Sequence, residues 1–298
     1  MTPLAPIVVV GDVMVDVVAA AAGPLAHASD TDARVRWTGG GAAANVAAWL
    51  ASEGVPVALV ARAGADLAGR GAVAELRDAG VDVHVALDAE RATGTCVVVI
   101  AADGERTMLP DRGANLALAP DDVPAELFVP GGHLHLSGYA LLHDGPRAAG
   151  LAALDHAREA GMTISIDPAS AAPLRACGVE RVLDWVGGAD LLLPNLDEAR
   201  VLTDEGEPEA AARALVTRAG VREVVVTLGA DGALWSDGHA TVRAAAPEVE
   251  RLVDTTGAGD AFAAGWLAAR RTGSDPRTAL TAACALGSHA VSRAGARP

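Results

Sequence analysis

Short Val/Leu-rich runs alternate along this chain with Ala-rich amphipathic segments, and that alternation points to βαβ units around a mostly parallel sheet. The spacing predicts buried strands at Ile7–Val10, Val57–Val60, His133–Leu136, Thr163–Ile166, Leu191–Leu193 and Val224–Thr227. Helices are predicted at Ala42–Ser52, Ala68–Ala79, Pro146–Ala160, Leu196–Thr203, Pro208–Ala219, Ala261–Arg271 and Pro276–Ser292. No repeat or low-complexity linker interrupts the order, so residues 1–298 read as one three-layer domain. Two stretches depart from it. Val15–Trp37 holds strand-like pieces around a Gly-Pro turn, and Arg91–Asn115 reads as a hairpin turning at Asp103-Gly104. These excursions, at about 15–37 and 91–115, are expected to form a small lid, with irregular surface hairpins as the alternative.

Hydrophobic residues make up 51% of the chain but aromatics only 3%, so the core must be built from Val, Leu and Ala. No apolar run is long enough for a membrane span, and MTPLAPIVVVGD reads as a first strand rather than a leader. Cys96, Cys177 and Cys284 lie far apart with no CxxC, as expected of reduced thiols in a cytoplasmic protein. A net charge of −15 argues against a nucleic-acid partner. Any polyanionic ligand must therefore be met locally, by backbone amides, a helix N-terminus, selected arginines or a metal ion. The chain contains no lysine. That excludes a Walker A lysine, a protein-kinase lysine, a Schiff base and a Ser-Lys nucleophile.

The segment DTTGAGDAF, Asp254 to Phe262, places two glycines and two carboxylates ahead of a helical pattern. A turn there aims the backbone N–H groups of Gly257, Ala258, Gly259 and Asp260 at one spot, beside the positive end of a helix dipole. Asp260 could cap that helix or take a proton from a hydroxyl at the anion site, and spacing leaves both open. The loop lacks the pattern of a P-loop, a dinucleotide fingerprint or an EF-hand. A second glycine cluster, Thr38-Gly39-Gly40-Gly41, opens the helix that carries Asn45, whose amide suits a polyhydroxylated ligand. Asp12 and Asp16 follow the first strand, where α/β folds bind ligands, although a solvated loop explains them equally.

These pieces together resemble the ribokinase-like, PfkB-type carbohydrate kinases. WTGGGAAANVAAWLASEG is similar to that family's N-terminal signature and DTTGAGDAFAAGWLAA to its C-terminal one. Between them, GADLAG from Gly64, LPNLDE from Leu193 and TLGADG from Thr227 resemble its GxDxxG, PNxxE and TLGxxG segments. The resemblance covers nearly the whole chain. It implies an α/β fold, a ribokinase-like three-layer, doubly wound, mostly parallel sheet with a small β-sheet lid. The implied activity is transfer of the γ-phosphate of ATP to a hydroxyl, expected to be primary, of a small carbohydrate.

The roles it implies are these. Asp260 is the general base, and Gly257, Ala258 and Gly259 supply the anion-hole amides. Asp16, Gly40 and Asn45 contact the sugar, with Asp12, Gly41 and Arg106 as further candidates. Asn195, Thr227, Gly229, Gly232 and Cys284 lie along the nucleotide. Glu198, with Asn195, organises Mg²⁺ through water, and Asp254, Thr256 and Gly295 hold a monovalent cation, expected to be K⁺; the alternative is that Asp254 merely hydrogen-bonds the turn. Without the resemblance, Asn195 and Glu198 read as a helix-cap pair. Lid strands of this family can pair across a homodimer. Met14, Ser137 and Asp167 depart from ribokinase itself, which puts strict ribose specificity in doubt. Arg106 and Arg112 in the second lid piece would favour an acid-sugar or phosphosugar substrate if they converge on the pocket. A nucleoside kinase would need an aromatic wall, for which Trp37 alone stands out in the lid, and a non-catalytic sugar-binding protein would not need the base. Tyr139 and the histidines of HLHLSGYALLH are candidates for the pocket, with strand core the simpler reading.

Overall fold

The structure is a computed structural model that describes residues 5–101 and 106–298. Strand β1 (Ile7–Val10) shows why these runs fold as they do. Ile7 and Val9 enter one core while Val8 and Val10 enter another on the opposite sheet face. A strand covered on both faces needs no polar alternation, hence the unbroken IVVV.

Two pieces of the lid, β2 (Met14–Ala21) and β3 (Ala33–Gly40), follow, and then α1 (Ala42–Ser52). The main sheet resumes with β4 (Val57–Gly64), α2 (Leu67–Asp78) and β5 (Asp82–Asp88), before the lid takes β6 (Gly94–Ile100) and β7 (Arg106–Asp111). Next come β8 (His133–Ser137), α3 (Tyr139–Leu142), α4 (Arg147–Glu159), β9 (Thr163–Asp167), α5 (Ala171–Cys177) and α6 (Val179–Val186). The chain continues through β10 (Leu191–Leu192), α7 (Leu196–Thr203), α8 (Pro208–Ala219), β11 (Glu223–Thr227), β12 (Ala233–Ser236) and β13 (Thr241–Ala244). Helices α9 (Ala258–Arg271) and α10 (Pro276–Val291) complete it.

Among the described residues the large sheet has nine strands in the order β13-β12-β11-β10-β9-β8-β1-β4-β5. All its neighbours are parallel except at the β12 and β13 end. Helices α1, α2, α9 and α10 cover one face, while α4, α6, α7 and α8 cover the other. Trp49 and Trp266 are the largest fully buried side chains, yet Val, Leu and Ala make most of both cores. Each buried Val or Leu contributes about 1.5–3 kcal/mol relative to exposure. The order reverses on either side of β1, so the C-terminal ends of β1, β8 and β9 open the usual ligand crevice.

The expected lid is present as a second sheet, β3-β2-β6-β7. Its two hairpins are antiparallel, but β2 and β6 join them in parallel. The expected Asp103-Gly104 turn lies outside the described residues, as does the Arg106 side chain. Side chains clamp the root of the lid. Asn115 receives the Val13 N–H and donates back to the Val13 carbonyl, both at 2.9 Å. Asp66, the N-cap of α2, also accepts from the Thr93 backbone at 2.8 Å and the Thr93 hydroxyl at 2.6 Å, next to the first residue of β6. This gives the GxDxxG segment a local reason: its Asp caps a helix and anchors the lid at once.

Strands β5, β12 and β13 lie outside the sequence expectation; they are edge or near-edge strands, where the apolar run is short or broken by polar residues. Helix α9 starts at Ala258 rather than Ala261. Asp260 therefore stands inside the first turn.

Candidate active site

Gly257 is the N-cap of α9 with φ 75°, a left-handed turn that reverses the chain into the helix. The Ala258 N–H is taken up within that turn by the Thr255 carbonyl at 3.3 Å. The N–H groups of Gly259 and Asp260 stand in the first turn, where no intrahelical acceptor exists. Capping does not explain Asp260: α9 has no side-chain cap bond, and the Asp260 carboxylate instead accepts from Asn45 Nδ2 at 2.8 Å. Asn45 lies one turn inside α1, as its spacing predicts, and it is buried rather than facing solvent, the alternative that the sequence left open.

Asp260 shares a cavity of about 150 Å³ with Asp167, Asn195, Glu198, Thr227 and Gly259. Among the described side chains, no basic one lines it. Burial pushes the Asp260 carboxyl up to about 8; the Asn45 bond opposes this, and the charges of Asp167, Asp12 and Asp16 reinforce it. Glu198 is raised by burial and by the charge of Asp167, and Asp167 is raised chiefly by burial. Three crowded carboxylates call for a cation, above all if phosphates add their own charge. Among the described residues no group of three His, Cys, Asp or Glu is close enough to form a metal cage. Such a site fits Mg²⁺, which retains waters and takes one or two carboxylates.

Asn195 and Glu198 are indeed a helix-cap pair. Asn195 Oδ1 accepts the Glu198 N–H at 3.0 Å, and Glu198 accepts the Asn195 N–H at 2.9 Å. This capping box starts α7 and also fixes both side chains on the cavity wall. Thr227 lines the same wall and pairs in parallel with Asn195. Gly229 and Gly232 shape the turn beyond Thr227, with φ of 62° and 94°. Cys284 is buried between α10 and β13, its Sγ 3.9 Å from the Ala244 carbonyl, and burial pushes its thiol up to about 11. These three are not in the wall around Asp260.

Toward the lid, Asp12 is buried and accepts the Ala43 N–H at 3.3 Å and the Ser137 hydroxyl at 3.4 Å. Arg112 reaches its other oxygen at 3.3 Å and sits over the Tyr139 ring, its Cζ 3.7 Å from the centroid. His143 stacks on Tyr139 from the same pocket. His135 is buried in the strand core and His133 lies half-buried at the start of β8; both bond Ser165, and burial lowers them to about 4 and about 3. Asp16 is buried against Gly40, where a Cβ would run into its carboxylate, and Gly41 starts α1 with φ 91°. Burial raises Asp16 to about 6 although Arg297 opposes the shift.

Behind the anion loop, Asp254 accepts the Thr256 N–H at 3.0 Å and the Gly295 N–H at 3.2 Å. Arg36 of the lid also reaches it, at 3.3 Å. Neither Arg36 nor Arg297 was foreseen; lone arginines at an open strand and beyond the last helix carry no local signal.

Over residues 5–298 the chain matches the family described as pfkB family carbohydrate kinase. It is 31% identical over 263 residues to a 2-dehydro-3-deoxygluconokinase of Bacillus subtilis, covering 86% of this chain and 81% of that one. It is 34% identical over 264 residues to an ATP-dependent ribose-1-phosphate kinase of Halopiger xanaduensis, covering 88% and 83%. The crystal structure of a Vibrio cholerae fructokinase bound to fructose, ADP and calcium superposes with a TM-score of 0.83 at 28% identity, over 98% and 94% of the two chains. The doubly wound sheet, the lid and these likenesses agree, and the chain belongs to the pfkB family of carbohydrate kinases.

Proposed function

We propose that this sugar kinase transfers the γ-phosphate of ATP to a primary hydroxyl of a small carbohydrate held between the lid and α1, with Asp260 as the general base. The observation that carries the reading is the position of Asp260: its carboxylate stands in the first turn of α9, beside amides without intrahelical acceptors, on the wall of a carboxylate-lined cavity. Asp260 takes the hydroxyl proton as the oxygen attacks the γ-phosphorus, and the bond to the ADP oxygen breaks. The amides of Gly259 and Asp260, with that of Gly257, stabilise the charge on the transferring group, whereas the Ala258 N–H expected to join them bonds the Thr255 carbonyl. Thr227, Gly229, Gly232 and Cys284 are assigned to the nucleotide side. Asp12, Asp16, Gly40, Gly41, Asn45 and Arg106 are assigned to the sugar side. Asn195 and Glu198 would hold Mg²⁺ through water; bound there, it neutralises phosphate charge that this lysine-free site cannot otherwise meet. K⁺ is assigned to Asp254, Thr256 and Gly295; there it would take the place of Arg36, whose guanidinium stands 3.3 Å from Asp254.

One observation favours an anionic sugar as a second reading. Arg112 lies in the pocket at the lid root, stacked on Tyr139 beside Asp12, rather than out in solvent. The two relatives named above bear the names of kinases for an acid sugar and a sugar phosphate. Trp37 gives no support to a nucleoside wall, because strand alternation puts it on the lid face opposite Asp16. The test is an ATP-consumption screen over neutral sugars, acid sugars, sugar phosphates and nucleosides, with K⁺ or choline as the cation. Turnover should depend on K⁺. If an acid sugar or sugar phosphate is the best substrate, Arg112→Met should raise its KM about 10–100-fold and leave that of ATP unchanged. A best substrate without charge, or an unmoved KM, removes the second reading; a flat K⁺ response removes the cation.

The lid also supports a homodimer. Trp37, Val17, Val97 and Leu109 pair in register across all four strands on its outer face. Trp37 is 67% and Leu109 58% exposed. Such a contiguous apolar face suits a second copy of the chain. Trp37→Asp should halve the mass measured by light scattering at micromolar concentration. A wild-type protein that is already monomeric there ends this assignment. No helix among the described residues is long and apolar enough to cross a membrane, and unpaired Cys96, Cys177 and Cys284 suit the cytoplasm.

A further inference from the structure

Arg297 follows the Gly295 turn and runs back under the lid. Its side chain is only 7% exposed. Nη2 donates to the Gly40 carbonyl at 2.8 Å, Nη1 to Glu75 at 3.0 Å, and Nε to Asn45 Oδ1 at 3.2 Å. The preceding residues are held too: Trp49 Nε1 donates to the Ala296 carbonyl at 2.9 Å, and Gly295 N–H reaches Asp254 at 3.2 Å. A Cβ at Gly39 would collide with the guanidinium, which accounts for a glycine there.

The chemistry of these bonds has a direction. A guanidinium only donates, so Asn45 must turn its oxygen to Arg297, and this leaves its NH₂ facing Asp260, where it favours the ionised form that the base requires. We infer that Arg297 is a positioning residue for the base, acting through Asn45, whose amide it locks in the one orientation that donates to Asp260. This rests on the reading of Asp260 as the base. Without Arg297, the amide is free to flip and present its oxygen to a carboxylate. The surroundings make that costly. Asp260 faces Asp12 and Asp16 from the β1–β2 region, Asp167 from β9 and Glu198 across the cavity, while Arg112 is engaged by Asp12. Arg297 also lies close enough to feel the charge of both Asp16 and Asp260.

The test is the pH dependence of kcat/KM for the best sugar in Arg297→Met, Arg297→Lys and Glu75→Gln, with Asp260→Asn in parallel. Arg297→Met should lower kcat/KM about 30-fold at neutral pH and move the acid limb up by about one unit, with the KM for ATP within about twofold. Arg297→Lys, which keeps a charged donor, should shift the limb about half as far. Glu75→Gln should leave the limb in place. An unmoved limb in a folded Arg297→Met overturns the inference, as does a Glu75→Gln shift equal to it. Should the methionine variant fail to fold, an unmoved limb in Arg297→Lys does the same. If Asp260→Asn retains full turnover, the base reading falls instead; if it is dead while both arginine variants keep the wild-type limb, only the inference falls.

Discussion

Asp260→Asn should lower turnover by roughly 10³-fold, the range expected for loss of a general base, while leaving ATP and sugar binding within a few-fold. The isosteric amide keeps the size of the carboxylate but cannot accept the hydroxyl proton. Single-turnover kinetics with separate binding measurements would check this, and full activity in the variant would sink the assignment. The same substitution has an opposite effect on stability. In the free protein the Asp260 carboxyl is raised to about 8, well above its unfolded value of 3.8. Between those values the folded state keeps a proton that the unfolded state releases, so this group favours the fold less and less as pH rises from 4 to 8. Asparagine carries no such dependence. The variant should therefore melt higher than the wild type at pH 8.5 and no higher near pH 4. A catalytic loss with a higher melting temperature distinguishes a strained site residue from an ordinary structural one.

Gly257→Ala should be the most damaging single-methyl change in the loop. The left-handed φ of 75° costs an L-residue about 1–2 kcal/mol by itself. A Cβ there would also stand 2.5 Å from the Ala296 carbonyl oxygen and 2.7 Å from its Cα. These are backbone atoms, pinned by Trp49 and by the Gly295 turn, so they cannot swing aside. Relief must come from the anion loop, which would tilt the Gly259 and Asp260 amides away from the transferring phosphate. Turnover should fall about 10²–10³-fold, as for a lost oxyanion donor, with a drop of several degrees in Tm. Gly259→Ala is the comparison for stability alone: nothing lies within 4 Å of a Cβ there, so its Tm should hold or rise, although the methyl enters the cavity and turnover is expected to fall. An equal drop in Tm in both variants would overturn the account, because Ala in place of a helical Gly favours the helix.

Local chemistry made much of this legible from residue order alone. Ile7–Val10, Ala42–Ser52, Leu196–Thr203 and Pro208–Ala219 form where their periodicity and flanking Gly, Pro and Asn place them. The lid is visible as a break in βαβ alternation, and DTTGAGD as a glycine turn that must precede a helix. Asn195 and Glu198 show the limit of such reading: their spacing specifies a capping box, but only burial beside Asp167 makes that box a cavity wall.

What the sequence determines is the central strands, the long helices and the chemical identity of the loop, because strand and helix periods, caps and turns act over a few residues; the edge strands β5, β12 and β13 and the short helices α3, α5 and α6 carry too little pattern. The tertiary structure decides which distant groups meet. Asn45 and Asp260 are 215 residues apart, and Arg297 and Asn45 are 252 apart. No local pattern records such a contact, because it depends on how α1, α9 and the last turn pack against one another. Folding separates the two carboxylates of the loop for that reason: Asp254 turns back to the Gly295 turn and Arg36, and Asp260 turns forward to Asn45 and the cavity.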